Sequence, residues 1–150
     1  MKDLTNLKTF IIDSENPKEI DDAVSLEFGK NNVKYIWIHI SYPCKLFEHD
    51  SDEDITARNN CSSLYLIDKY VPMMEYNIID VANLKQDKIS ETISARIELN
   101  DNGSINKYEL VEALIKPNYE ITYEDTNELL DLEPNEEYEI SVSLKDSDGI

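Results

Sequence analysis

Residues 11–25 read IIDSENPKEIDDAVS, and this stretch decides the fold. Its two ends are apolar and its middle is not. Phe10 to Ile12 is a short run of β-formers, and Ala23 to Phe28 alternates as a half-buried strand does. The acid-rich segment Asp13 to Asp22 is therefore a loop held between two strands. Next comes Val33 to Ser41, VKYIWIHIS, where β-branched and aromatic residues dominate and predict the strongest strand of the chain. Gly29 to Asn32 supplies the turn before it, so the strands on either side form a hairpin.

Working outward, Ser51 followed by Asp52, Glu53 and Asp54 predicts a helix N-cap with acids in the first turn, and a short helix to about Asn60. Ser63 to Ile67 reads as extended, Pro72 interrupts, and Tyr76 to Leu84 is open between irregular structure and a helical turn. Ile89 to Leu99 and Ser104 to Ile115 flank Asp101-Asn102-Gly103, residues that tolerate positive φ, which predicts a second, longer hairpin. Pro117 ends it. Thr122 with Asp125 three positions on resembles a capping box, and Tyr123 to Leu132 carries leucines at helical spacing, so a helix starts there. From Asn135 the pattern YEISVSL fits either a strand or an amphipathic helix. No internal repeat, low-complexity tract or linker interrupts the chain. The expected class is α+β: mainly antiparallel β hairpins with short helices.

At 150 residues the chain has the size of one ordinary domain. Hydrophobic residues at 41% and charged residues at 31% fit a globular class, and no apolar run approaches the ~20 residues that span a bilayer. No membrane role is expected. Met1 to Lys8 lacks the apolar segment of a secretory signal, which makes the cytoplasm the default location. Cys44 and Cys61 are far apart, outside any Cys-x-x-Cys pair, and read as free thiols rather than zinc ligands. A formal net charge of -18 argues against a broad phosphate-gripping surface. A nucleic-acid role then requires bound cations or further modules.

Asp13, Glu19, Asp21 and Asp22 supply four carboxylates in a loop anchored at both ends. Magnesium prefers hard oxygen ligands and is commonly held by a few carboxylates together with substrate phosphate. Two such metals about 4 Å apart can activate a water and stabilise the leaving oxygen in phosphodiester hydrolysis. They would also reverse the sign of the local field. Acidity by itself does not single out this loop, because His49-Asp50-Ser51-Asp52-Glu53-Asp54 is at least as dense. That second run is no EF-hand, having Ile55 at its sixth position and Cys61 at its twelfth. His39, in an apolar strand, reads as a structural histidine, and Arg58 as a helix-surface partner of nearby acids.

Order and spacing carry more. Ile12-Asp13, five residues, then Glu19-Ile20-Asp21-Asp22-Ala23 resembles the opening signature of the ribonuclease II and ribonuclease R catalytic domain (RNB type), usually I-D, five residues, D-x-D-D-A. Further matches follow in the family's order: Trp37-Ile38-His39-Ile40, Ala57-Arg58, Ser63-Leu64-Tyr65-Leu66, Val71-Pro72-Met73-Met74, the Asp101-Asn102-Gly103 hairpin and Ile121-Thr122-Tyr123-Glu124-Asp125. The resemblance implies a hydrolytic 3'-to-5' exoribonuclease that degrades single-stranded RNA to nucleoside 5'-monophosphates with Mg2+, or Mn2+, as cofactor. It makes Asp13, Glu19, Asp21 and Asp22 metal-holding acids, Asp21 the catalytic acid among them, and Tyr65 and Tyr123 RNA-binding residues. Without the resemblance each tyrosine is more simply a half-buried aromatic.

Two departures stand out. Glu19 replaces the commoner Asp, adding one methylene, and His39-Ile40-Ser41-Tyr42-Pro43 lacks an acid that often follows in the family. The family's catalytic domain also continues well past this length and is flanked by OB-type RNA-binding modules. The chain is thus expected to comprise a lead-in over 1–9 and the N-terminal part of an RNB-type domain over 10–150, cut short at its C-terminal end, with further RNA-binding domains or subunits missing. The alternative is a non-catalytic interaction or regulatory protein of RNA metabolism derived from the same domain.

Overall fold

A computed structural model describes residues 1–30 and 33–131. The expected strands β2 (Thr9–Asp13), β3 (Asp22–Phe28) and β4 (Lys34–Ser41) form, preceded by an unanticipated β1 (Lys2–Asp3) and followed by α1 (Asp52–Asn60), the short β5 (Leu64–Tyr65) and β6 (Tyr70–Val71), and α2 (Tyr76–Ala82). β7 (Ser90–Leu99), β8 (Ile105–Ile115), β9 (Tyr119–Thr122) and α3 (Tyr123–Leu130) complete the described part. The segment from Asn135 lies outside the described residues.

Seven strands make one sheet in the order β1-β8-β7-β4-β3-β2-β9. Its centre is antiparallel, as hairpin signals require: Val24 pairs with Ile38 and Trp37 with Arg96. Its two edges were not anticipated. β1 runs parallel to β8, and β9 runs parallel to β2, with Ile12 opposite Ile121 and Asp13 opposite Thr122. The β7–β8 hairpin turns where expected, with Gly103 at φ 82°, a conformation that glycine adopts without a Cβ clash. Both predicted caps are present: the Ser51 side chain accepts from Asp54 N, and Thr122 and Asp125 form a reciprocal capping box. The ambiguous stretch resolves as the short helix α2.

Alternation sorts the sheet into two faces. One carries Ala23, Ser25, Trp37, His39, Thr92, Ser94, Ala113 and Ile115, all buried, and packs with Leu4, Ile11, Ile20 and Leu84 in the core. The other presents Leu26, Phe28, Ile38, Ile40, Tyr108 and Leu110, all exposed. In VKYIWIHIS apolar residues stand at odd and even positions alike, although only every second residue enters this core: Trp37 is buried, while Ile38 and Ile40 are exposed.

His39 is fully buried. Its Nε2 lies 2.6 Å from Ser25 Oγ and its Nδ1 2.8 Å from Ser94 Oγ, so a neutral ring can donate to one hydroxyl and accept from the other. This is the structural histidine expected from the strand. Burial pushes its imidazole down from 6.5 to about 4. The folded chain holds the neutral form, so this contribution is complete above the unfolded-state value and is lost as pH falls from there through 4. The loss is at most about 3 kcal/mol. Urea midpoints at pH 7, 5 and 4 should fall more steeply for the native chain than for His39→Gln; identical slopes would assign the acid sensitivity elsewhere.

Candidate active site

The β2–β3 pairing, Thr9 with Ser25 and Phe10 with Val24, carries Asp13 at the end of one strand toward Asp21 and Asp22 at the start of the next. Between them the loop is pinned by a single apolar side chain. Ile20 is buried in the core beside Leu84, its N–H donates to Asn83 Oδ1 at 3.0 Å, and its carbonyl accepts from Leu84 N at 2.9 Å. The Asp21 carbonyl accepts from Ser41 N at 2.7 Å, fastening the loop to the end of β4. Glu19 and Asp21 therefore leave a fixed backbone on either side of a buried residue.

Electrostatics show which acids share a neighbourhood. The Asp22 carboxyl is pushed up, first by partial burial, then by the charges of Asp21 and Asp13. Asp22 remains exposed to solvent by surface area, with protein crowding one side of it. The Tyr65 phenol is raised by partial burial and then by Glu19, Asp21 and Asp13, which places its ring within the field of these acids. Glu19 itself accepts hydrogen bonds from the Ser63 and Tyr70 hydroxyls. Tyr123 follows Thr122, the register partner of Asp13, and is exposed at the first turn of α3.

The four carboxylates share this neighbourhood without closing into a tight cage. Among the described residues, the group of three ligand atoms within 4.8 Å of one another is His49, Asp50 and Asp54, in the run that the sequence showed to be equally dense. That group already has its cation: Arg58 Nη2 lies 2.6 Å from Asp50 Oδ1 and 3.0 Å from Asp54 Oδ2, as expected for Arg58. The loop acids differ. Among the described residues no Lys or Arg forms an ion pair with Asp13, Glu19, Asp21 or Asp22. Carboxylates that crowd one another's charge, as Asp13 and Asp21 do at Asp22, and that have no ion-paired Lys or Arg among the described residues, are a donor set that suits a hard divalent cation.

Beside the acids lies an open cleft of about 810 Å³, lined among others by Lys18, Tyr65, Lys69, Tyr70, Tyr76 and Asn77. The rings of Tyr65 and Tyr70 lie 5.1 Å apart and those of Tyr70 and Tyr76 6.2 Å apart. Tyr70 and Tyr76 were not anticipated as part of a site. A lone tyrosine in a polar stretch carries no spacing signal; the β5–β6 pairing sets Tyr70 against Tyr65, and the start of α2 brings Tyr76 to Tyr70.

With this geometry in view, the likeness to known proteins is specific. The RNB domain family matches residues 1–148. The chain belongs to the RNB domain family. An uncharacterised ribonuclease of Synechocystis is 32% identical over 92% of the chain, and the chloroplastic/mitochondrial ribonuclease II of Arabidopsis thaliana is 32% identical over 93%. The chain spans about a fifth of the length of these relatives, 21% and 18% respectively. Among solved structures, RNase R of Mycoplasma genitalium in complex with double-stranded RNA superposes with a TM-score of 0.79 at 23% identity, over 89% of this chain and 24% of that one. Yeast Ssd1, a pseudonuclease, superposes with a TM-score of 0.80 at 21% identity, over 90% of this chain and 17% of that one. The RNB fold thus occurs both in ribonucleases and in a protein described as a pseudonuclease. Among the described residues no helix is long and apolar enough to cross a membrane.

Proposed function

We propose that this RNB chain carries the metal-holding acids of a 3'-to-5' exoribonuclease acting on single-stranded RNA, with Mg2+ or Mn2+ held by Asp13, Glu19, Asp21 and Asp22. One observation supports this above the others: the Asp22 carboxyl, raised by partial burial and then by the charges of Asp21 and Asp13, stands beside an exposed tyrosine, and no basic side chain is paired to these acids among the described residues. A divalent cation bound there would neutralise phosphate charge and favour attack by water on the phosphodiester. The chain's own residues do the rest. Tyr65 and Tyr123 offer exposed rings on which the terminal bases can stack without regard to sequence. Asp21, its backbone fixed by Ser41, presents a solvent-exposed carboxylate to orient the attacking water. A cytoplasmic location belongs to this reading, although the Arabidopsis relative is by name chloroplastic/mitochondrial.

The pseudonuclease likeness favours a second reading, in which the chain keeps the fold and binds RNA or partner proteins without cutting. Incubating the full chain with uniformly labelled single-stranded RNA and Mn2+ separates the two. The first reading expects release of nucleoside 5'-monophosphates and its loss, by at least about a hundredfold, in Asp21→Asn. Cation binding with no release would support the second.

A further inference from the structure

Glu19 leaves the main chain in the acidic loop, but its carboxylate is engaged from another part of the fold. Its Oε1 accepts from Ser63 Oγ and from the Tyr70 hydroxyl. Ser63 has one O–H, given to Glu19, and its oxygen in turn accepts from Met73 N at 2.8 Å, so the hydroxyl is locked in direction. Tyr70 pairs with Tyr65 across β5 and β6. The hairpin that presents Tyr65 is thus fastened to the loop through one carboxylate oxygen.

The chemistry of this contact is selective. A lysine or arginine at the same place would fix Glu19 equally well but cancel its charge, and the carboxylate would no longer attract a cation. Two hydroxyls orient the group and leave it anionic. Glu19 needs such orientation more than an aspartate would, because its extra methylene adds a rotatable bond. We propose that Ser63 and Tyr70 are positioning residues: they hold Glu19 by one oxygen so that its other oxygen is placed to ligate a divalent cation, and they couple the Tyr65 hairpin to the acidic loop. This rests on the metal-site reading above and names two residues that serve it.

Calorimetric titration of the full chain with MnCl2 tests the assignment. Tyr70→Phe keeps the ring against Tyr65 and Tyr76 and removes only the hydroxyl; it should weaken Mn2+ binding about tenfold, with a melting temperature in chelator within a few degrees of the native chain. Ser63→Ala should act in the same direction. In a Glu19→Asp background the shortened arm withdraws the carboxylate from the hydroxyl, so adding Tyr70→Phe should then cost less than about twofold, a non-additivity that a merely structural tyrosine does not give. Equal costs in both backgrounds, or native affinity in both single variants, would overturn the assignment. If Mn2+ binds and is lost in Asp22→Asn but not in Tyr70→Phe, only this inference falls. If the native chain binds no Mn2+, the metal-site reading falls and takes the inference with it.

Discussion

Replacing Asp13 and Asp22 together by Asn is expected to abolish Mn2+ binding and, in the same protein, to raise the melting temperature measured in chelator. The two effects have opposite signs because one set of charges causes both. Asp22 holds its proton more tightly in the folded chain than in the unfolded one, through partial burial and then through Asp21 and Asp13. A carboxyl raised in this way favours the fold while protonated; that contribution is present below the unfolded-state value and disappears as pH rises through the folded-state value. At neutral pH the ionised acids therefore oppose folding. Asn preserves shape and hydrogen bonding without the charge, so the cation-free double variant should melt a few degrees higher. Saturating Mn2+ reverses the order: at a hundred times its dissociation constant a ligand stabilises by about 2.7 kcal/mol, available only to the native chain. Thermal melts in EDTA and in MnCl2, with a calorimetric titration, check both. A double variant that melts lower in chelator, or is still stabilised by Mn2+, would remove these carboxylates from the site.

Much of this was legible because it is local. VKYIWIHIS could only be a strand, and Ser51 and Thr122 announce their helices through side chains that bond the backbone three residues on. The acidic loop was legible for the same reason, being a polar segment between two apolar ones. What the sequence concealed is what joins distant residues. The parallel pairing of β9 with β2 sets Thr122 beside Asp13 with no turn between them to mark it, and so brings Tyr123 toward the acids. Ile20, a single apolar residue among carboxylates, looks like a lapse in a polar loop; its partner Asn83 is 63 positions away. The Glu19 contacts with Ser63 and Tyr70 are concealed similarly, because a hydroxyl in an extended segment has no periodicity to betray its direction. Acid density misled in the opposite sense: residues 49–54 do draw ligand atoms together, but Arg58 pairs with them, whereas among the described residues no Lys or Arg pairs with Asp13, Glu19, Asp21 or Asp22.

Trp37→Ala is expected to cost about 3–5 kcal/mol, the range for emptying a large aromatic site in a core, against a total stability of about 5–15 kcal/mol for an ordinary domain. Trp37 is 0% exposed and sits at the middle of the sheet. Its Nε1 donates to Glu27 Oε2 at 2.7 Å, and Arg96 grips the same carboxylate through Nε at 3.0 Å and Nη2 at 2.8 Å. Truncation therefore removes apolar contact and one of three hydrogen bonds to Glu27, but leaves its charge paired. Trp37→Phe separates these contributions. It retains most of the ring and gives up the indole N–H, for a loss of about 1–2 kcal/mol. Urea denaturation of the three proteins measures the ladder. A Phe variant as unstable as the Ala variant would show that the indole hydrogen bond, rather than ring volume, secures the centre of the sheet. The intermediate value predicted here places the stabilisation in the packed ring, on the same buried face as Ile20, so loosening this centre should also slacken the anchor of the acidic loop and weaken Mn2+ binding in the Ala variant more than in the Phe variant.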